Sequence, residues 1–340
     1  MIHCPAMRER LLISSGEALF DSFFPRGLQA RLTGSFKWER DGAGIAGRAM
    51  YRKLSTAEAL ITTWDSPKFN DDLMRMAPRL RIIAHCGGEV KSRFDEQLFE
   101  SLTITNAPNP MARATAELGA AFLVYCGRSV DHYRTEVRKP SNRIYSEVHT
   151  YGTAEYLAGR EVAMIGFGRV GRALVDLMRG FELRWTVYDP FADHSLSSEY
   201  PVVFSELNPL LRRAELLVLT AALTDETRGL LDGKALSVLP DGAAVINIAR
   251  GGIIDLAALT AEVRRGRLRC ALDVTDPTEP LPVNHPLRKL PGAILTPHIA
   301  GSGRHVRHAI AETVINDLEK FFRGQPVQNR VTSAMLTRMT

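Results

Sequence analysis

The stretch "REVAMIGFGRVGRALVDLMRG", residues 160–180, constrains this chain more than any other. A short apolar run leads into Gly166, Gly168 and Gly171, spaced as G-x-G-x-x-G, and a helical segment opens directly behind them. Strand, glycine turn and helix in that order form the first unit of a doubly wound α/β sheet. The first glycine permits the tight turn, the second lets a pyrophosphate approach the backbone, and the third lets helix and strand pack closely. The helix N-terminus then faces the phosphates. Asp189 closes the next strand in "VYDPF", where a carboxylate accepts hydrogen bonds from the adenosine ribose hydroxyls. No arginine follows it immediately, so a 2′-phosphate would meet a negative charge, and NAD is favoured over NADP.

The rest of the chain repeats this rhythm in two series. The first has apolar runs at 10–14, 59–63, 80–86 and 102–107, the last stopped by Pro108 and Pro110. A long helical pattern follows from 112 to about 130. It is apolar on most sides, so it is expected to be buried between elements or at an interface. The second series has runs at 160–168, 184–189, 216–221, 243–249, 270–274 and 293–297, six strands of a parallel sheet. A final helix over roughly 306–322 stops at "RGQP" and is expected to pack back on the N-terminal part.

Composition closes off other classes. A chain of 340 residues, 45% hydrophobic, is long enough for two domains with their own cores. No apolar run is long enough to span a bilayer, and "MIHCPAMRER" lacks a secretory apolar region, so a cytoplasmic location without a membrane partner is expected. Cys4, Cys86, Cys126 and Cys270 show no CxxC spacing, as suits reduced, mostly buried thiols. The net charge of +5 is spread over the whole chain, which reads as a solvated basic surface rather than a nucleic-acid site.

Three residues carry candidate chemistry. In "AAVINIARGG", residues 243–252, a buried strand interrupted only by Asn247 delivers Arg250 at its carboxyl end. A guanidinium there suits bidentate capture of a carboxylate. His298 in "LTPHIAGSG" follows another strand and suits proton transfer near neutrality. Glu279 in "DVTDPTEPLP" lies beyond the strand that holds Asp273 and can orient the imidazole. Singly, each has a plainer reading: a solvated helix-start arginine, a turn glutamate, a structural histidine. Their shared position at strand ends of the sheet that binds the dinucleotide sets them apart. His305 and His308 lie near His298, but "GRHVRHAI" surrounds them with arginines, so no metal site is expected.

At this point the chain resembles the D-isomer-specific 2-hydroxyacid dehydrogenase family, which includes glyoxylate and hydroxypyruvate reductases and phosphoglycerate dehydrogenase. The resemblance rests on "LAGREVAMIGFGRVG", "VYDPF", "LTDETRGLL", "VINIARGGIID", "ALDVTDPTEPLP", "HPLRKLPGAILTPHIAGSG" and "FFRGQPVQNRV". The N-terminal part matches more loosely. The resemblance implies a Rossmann cofactor domain at 112–303 and a smaller, discontinuous flavodoxin-like substrate domain at 1–111 with 304–340, hinged near Met111 and Gly303. It implies that Arg250 holds the carboxylate and C2 oxygen of a 2-oxo acid, that His298 exchanges a proton with that oxygen, and that Glu279 pairs with His298. It implies cofactor contacts at Gly166, Phe167, Gly168, Arg169, Val170, Gly171, Asp189, Thr220, Ala249, Asp273 and Gly301, with Asp273 on the nicotinamide carboxamide. Backbone N–H groups at Gly87 and Gly88 would face the substrate carboxylate, and the long helix would help form a homodimer. Three departures stand out: the longer loop "HCGGEVKSRFD", Thr220 and Ala222 in place of the common His and Pro, and Met111 in place of a polar residue. The other reading is an NAD-responsive binding protein on the same scaffold, like the C-terminal-binding-protein corepressors. The chain shows no disordered, adaptor-like tail, which disfavours it.

Overall fold

Short apolar runs become parallel strands in the computed structural model, which describes residues 8–42 and 48–339. Cys4 lies outside the described residues. The chain divides into two compact units, residues 1–111 with 302–340, and residues 112–301.

In the first unit, β1 (Arg10–Ser14), β2 (Lys37–Asp41), β3 (Ala59–Thr62), β4 (Ile82–His85) and β5 (Thr103–Thr105) form a parallel sheet in the order β2-β1-β3-β4-β5. This is the flavodoxin-like order. Arg330–Val331 adds an antiparallel strand against β5. β3 and β4 are buried at every position, as strands covered on both faces must be. β2, "KWERD", has no apolar run and was not anticipated. An edge strand pairs on one side only, so it accommodates Lys37, Glu39 and Arg40. The helix Arg304–Phe322 packs Ile310, Ala311, Val314, Ile315 and Leu318 into one core with Leu11, Ile13, Phe23, Ile61 and Ile82. The i, i+1, i+4 spacing of those residues makes the stripe that covers the sheet.

In the second unit, β6 (Glu161–Ile165), β7 (Arg184–Tyr188), β8 (Val202–Phe204), β9 (Leu216–Leu219), β10 (Ala244–Asn247), β11 (Arg269–Leu272) and β12 (Ala293–Leu295) are all parallel. Their order, β8-β7-β6-β9-β10-β11-β12, reverses between β6 and β9, the switch point at which doubly wound sheets bind ligands. Seven strands stand where six were expected. β8 is three residues long at the sheet edge, with only Val202 buried, and leaves no readable apolar run. One core cluster lies on each face of the sheet.

The long helix runs Pro108–Gly127, four residues earlier than expected at its start and about three shorter at its end. Pro108 and Pro110 sit in its first turn, where no backbone N–H is needed, so they begin the helix rather than merely ending the strand. Cys86, Cys126 and Cys270 are buried and unpaired, and burial pushes the Cys126 thiol up to about 12.

Candidate active site

The second unit's sheet presents the three candidate residues at the carboxyl ends of adjacent strands. Asn247, 1% exposed at the end of β10, reshapes the chain as it leaves the sheet. Its side-chain oxygen accepts from Ala249 N–H at 3.0 Å, and its amide nitrogen donates to the Arg250 carbonyl at 2.9 Å. That turn delivers Arg250 in extended backbone with its side chain half-buried. Gly251 then permits a close crossing: a Cβ there would fall 2.2 Å from the Thr275 carbonyl carbon. The loop after β11 is thereby held against the loop after β10.

Thr275 leads on to the acid. Its N–H donates to Glu279 Oε2 at 3.2 Å, and Glu279 Oε1 lies 2.5 Å from His298 Nδ1. The two side chains are 35% and 50% exposed, so the pair is open to a ligand. His298 itself has φ +53°, a left-handed conformation rare for a residue with a Cβ. Asp273 holds it there. The Asp273 carboxylate, 1% exposed, accepts from Thr296 Oγ1 (2.6 Å), Ile299 N–H (2.8 Å) and Ala300 N–H (2.9 Å). The Asp273 carbonyl accepts from His298 N–H at 3.0 Å. Asp273 was expected on the nicotinamide carboxamide. The structure gives its buried carboxylate three donors from the 296–300 segment, and these aim His298.

The glycine turn has the shape a dinucleotide requires. Gly166 has φ +91°, and a Cβ there would lie 2.5 Å from the backbone of Ala221. Gly168 faces open space, where a phosphate can approach. The helix Arg169–Leu177 starts there without a side-chain cap, which leaves its first N–H groups for an anion. The residues present fit NAD. Asp189 Oδ2 accepts from Phe167 N–H at 2.7 Å and Oδ1 from Phe191 N–H at 2.9 Å, fixing the carboxylate beside the turn. The Phe167 side chain is buried against Tyr200 and Phe204, so only its backbone borders the turn. Thr220, one of the departures, donates its hydroxyl to the Gly166 carbonyl and tightens the turn from the neighbouring strand. Ala249 is buried, whereas Arg169 is exposed and Val170 and Gly301 are half-exposed.

Gly87 and Gly88 lie in the first unit, at the carboxyl end of β4. Gly87 N–H donates to the His85 carbonyl at 2.9 Å, whereas Gly88 N–H donates to no described group. The Gly87 carbonyl accepts from Ala107 N–H at 2.8 Å and the Gly88 carbonyl from the Asn106 side chain at 2.7 Å, which fastens this loop to the end of β5.

Comparison with known proteins settles the family. The sequence model of the D-isomer specific 2-hydroxyacid dehydrogenase NAD binding domain matches residues 120–300. The chain belongs to the D-isomer specific 2-hydroxyacid dehydrogenase family. A glyoxylate reductase of Pyrococcus horikoshii is 31% identical over 291 residues, covering 84% of this chain and 86% of its own. A D-3-phosphoglycerate dehydrogenase of Archaeoglobus fulgidus is 28% identical over 290 residues, which is 85% of this chain but 54% of that protein. A solved phosphoglycerate oxidoreductase from Rhizobium etli superposes with a TM-score of 0.76 at 27% identity, covering 95% of this chain and 98% of its own. This D-2-hydroxyacid dehydrogenase is NAD-dependent. Among the described residues, no helix is long and apolar enough to cross a membrane.

Proposed function

We propose that this dehydrogenase interconverts a 2-oxo acid and its D-2-hydroxy acid with Arg250, Glu279 and His298 as its reacting set. The observation that carries the reading is the Glu279–His298 contact, built on the loops after β11 and β12 beside the strand end that delivers Arg250. Bound NAD(H) would supply or take up the hydride at C2. Arg250 offers a planar fork for the substrate carboxylate and C2 oxygen. His298, with Nδ1 on Glu279, exchanges a proton with the C2 oxygen through Nε2. Glu279, anchored by Thr275, restricts rotation of the imidazole, and Asp273 fixes the backbone behind it. Gly88 is assigned as the backbone donor to the carboxylate.

On the cofactor side, the N-terminus of the helix Arg169–Leu177, with Gly166, Gly168, Val170 and Gly171, takes the pyrophosphate. Asp189 takes the adenosine ribose hydroxyls, which makes NADH a better reductant than NADPH. Thr220, Ala249 and Gly301 border the same crevice.

The working form is assigned as a homodimer. The helix Arg143–Tyr151 buries none of its residues, and Tyr145, Tyr151 and Tyr156 are 68–76% exposed. An apolar groove of about 450 Å³ on the second unit is lined by Ala121, Val124, Tyr125, Val130 and Phe181. Faces of this kind call for a partner surface, and a second copy of the chain supplies one.

The test follows NADH oxidation over a panel of 2-oxo acids in the wild type and in Arg250→Lys. Wild type should turn over at least one member. Lysine keeps the charge but loses the fork, so kcat/KM should fall at least about tenfold, the equivalent of one charge-assisted hydrogen bond. Wild type that binds NADH and reduces no 2-oxo acid would favour the NAD-responsive binding protein instead.

A further inference from the structure

The carboxyl edge of the first unit's sheet carries an arginine that the catalytic reading leaves unused. Arg307, in the first turn of the helix Arg304–Phe322, lays its guanidinium 4.9 Å from the ring centroid of Trp64 and 5.7 Å from that of Phe23. Its Nη1 donates to Ser22 Oγ at 2.8 Å, and its Nε is buried without a partner. No described carboxylate pairs with it. Asp65 and Glu89, two acids on this edge, are engaged elsewhere. Asp65 accepts from Gly16 N–H (2.9 Å) and Thr63 Oγ1 (2.6 Å). Glu89 accepts from the Ser92 N–H and hydroxyl, both at 2.7 Å, and lies 3.7 Å from Arg93 Nε.

Trp64 links this arginine to the glycine loop. A Cβ on Gly87 would fall 3.0 Å from the indole Nε1, so the loop passes directly over that N–H. The indole N–H donates to no described group. Arg93, from the longer "HCGGEVKSRFD" loop, donates to the carbonyls of Thr63 (3.3 Å) and Trp64 (3.2 Å) and so holds the tryptophan in place. His85, under the same loop, adds no charge, because burial holds its pKa down to about 3. A guanidinium without an ion-pair partner among the described residues therefore stands on the ring of Trp64, beside the Gly87 loop. A ring face attracts a cation, but it satisfies none of the guanidinium's in-plane N–H donors.

We propose that Arg307 and Trp64 form a specificity subsite for a second, distal anionic group on the 2-oxo acid, a carboxylate or a phosphate, so that the preferred substrate is a dianion. The proposal rests on the assignment above, in which the C2 carboxylate lies at Gly88. From that end the carbon chain runs along Trp64, whose N–H and stacked guanidinium meet the distal anion. A substrate with a neutral tail leaves both donors unanswered. Sites built around such polar partners reject analogues that lack them by up to roughly 10⁴-fold.

The test compares kcat/KM within matched pairs, using NADH: 2-oxobutyrate against oxaloacetate, and hydroxypyruvate against its 3-phosphate. Wild type should favour an anionic tail at least tenfold in one pair, and the pair that responds distinguishes carboxylate from phosphate. In Arg307→Gln, scaled to the folded fraction by NADH titration, that preference ratio should fall at least tenfold, and Arg307→Lys should recover part of it. If Arg307→Gln does not fold, Trp64→Phe carries the test, because it keeps a ring and removes the N–H, and the ratio should fall there too. A wild type that favours neutral tails, or a ratio that survives these substitutions, overturns the subsite while leaving the Arg250–Glu279–His298 reading intact. No turnover of any 2-oxo acid in wild type would overturn both.

Discussion

The two sheet edges of this dehydrogenase are finished differently. At the carboxyl edge of the second unit, the polar groups behind His298 hold one another: Asp273 takes three donors, Asn247 bridges two backbone groups, and Thr275 holds Glu279. At the first unit's edge they do not. Among the described residues, the buried side-chain atoms without a hydrogen-bond partner are Ser14 Oγ, Asp41 Oδ2, Arg93 Nε, Thr105 Oγ1 and Arg307 Nε, and all belong to the first unit. Buried polar groups are nearly always paired, so such a concentration marks a region not optimised for stability alone. The contrast teaches a division of labour. Under the proposed assignment, groups that carry the chemistry are preorganised, whereas groups on the first unit's edge retain unmet hydrogen-bonding capacity that a specific substrate can use.

The largest effect should come from breaking the finished edge. In His298→Gln the proposed proton donor is gone while Asp273 still anchors the backbone, so kcat should fall about 10²–10⁴-fold. NADH affinity, read by fluorescence titration, should stay within a few-fold. A drop under tenfold would remove His298 from the reacting set.

A smaller loss is expected from Gly251→Ala. The new methyl would meet the Thr275 carbonyl carbon at 2.2 Å, so the backbone of one loop has to move. Overpacking of this kind costs about 1–3 kcal/mol in chemical denaturation. Because the moving loop carries Glu279, kcat should fall with stability. Unchanged kcat in a destabilised protein would show that the loop crossing is structural only.

On the other edge, the sharpest probe is pH. His85 is fully buried, shares a hydrogen bond with Thr62 Oγ1 at 2.9 Å, and has its pKa lowered by desolvation, with Arg93 adding to the effect. A folded pKa of about 3 against 6.5 in the unfolded chain means that the unfolded state binds the extra proton first. The contribution is therefore fully present above pH 6.5 and is lost as pH falls towards 3. Between pH 7 and pH 5 this one group should remove about 2 kcal/mol of unfolding free energy. Urea denaturation of wild type and His85→Asn at both pH values measures it, since the variant should lose that part of the pH dependence. Identical pH dependence in the two proteins would mean that His85 does not titrate on unfolding.

Much of this arrangement is legible in the sequence because buried parallel strands read as apolar runs and the glycine turn has a fixed spacing. β2 and β8 escaped because an edge strand can carry charge or shrink to three residues. Arg250, Glu279 and His298 were readable from their place at strand ends. Their supports were not, since Gly251 against Thr275, and Asp273 against Ile299 and Ala300, are approaches between loops of different strands. Gly87 illustrates the same limit locally: its N–H turns back on His85, which spacing alone does not reveal. Arg307 stacks on Trp64 from the far end of the chain, and no periodicity connects the two.

The Asp273 tether also bears on how this protein can diversify. The imidazole segment is fastened to the end of β11 rather than to its own strand, β12, which is three residues long and only half-buried. The connection at 282–292 that leads into β12 is mostly at the surface. Drift, insertion or laboratory grafting can therefore rewrite that connection while the aim of the histidine is kept by a carboxylate one strand away.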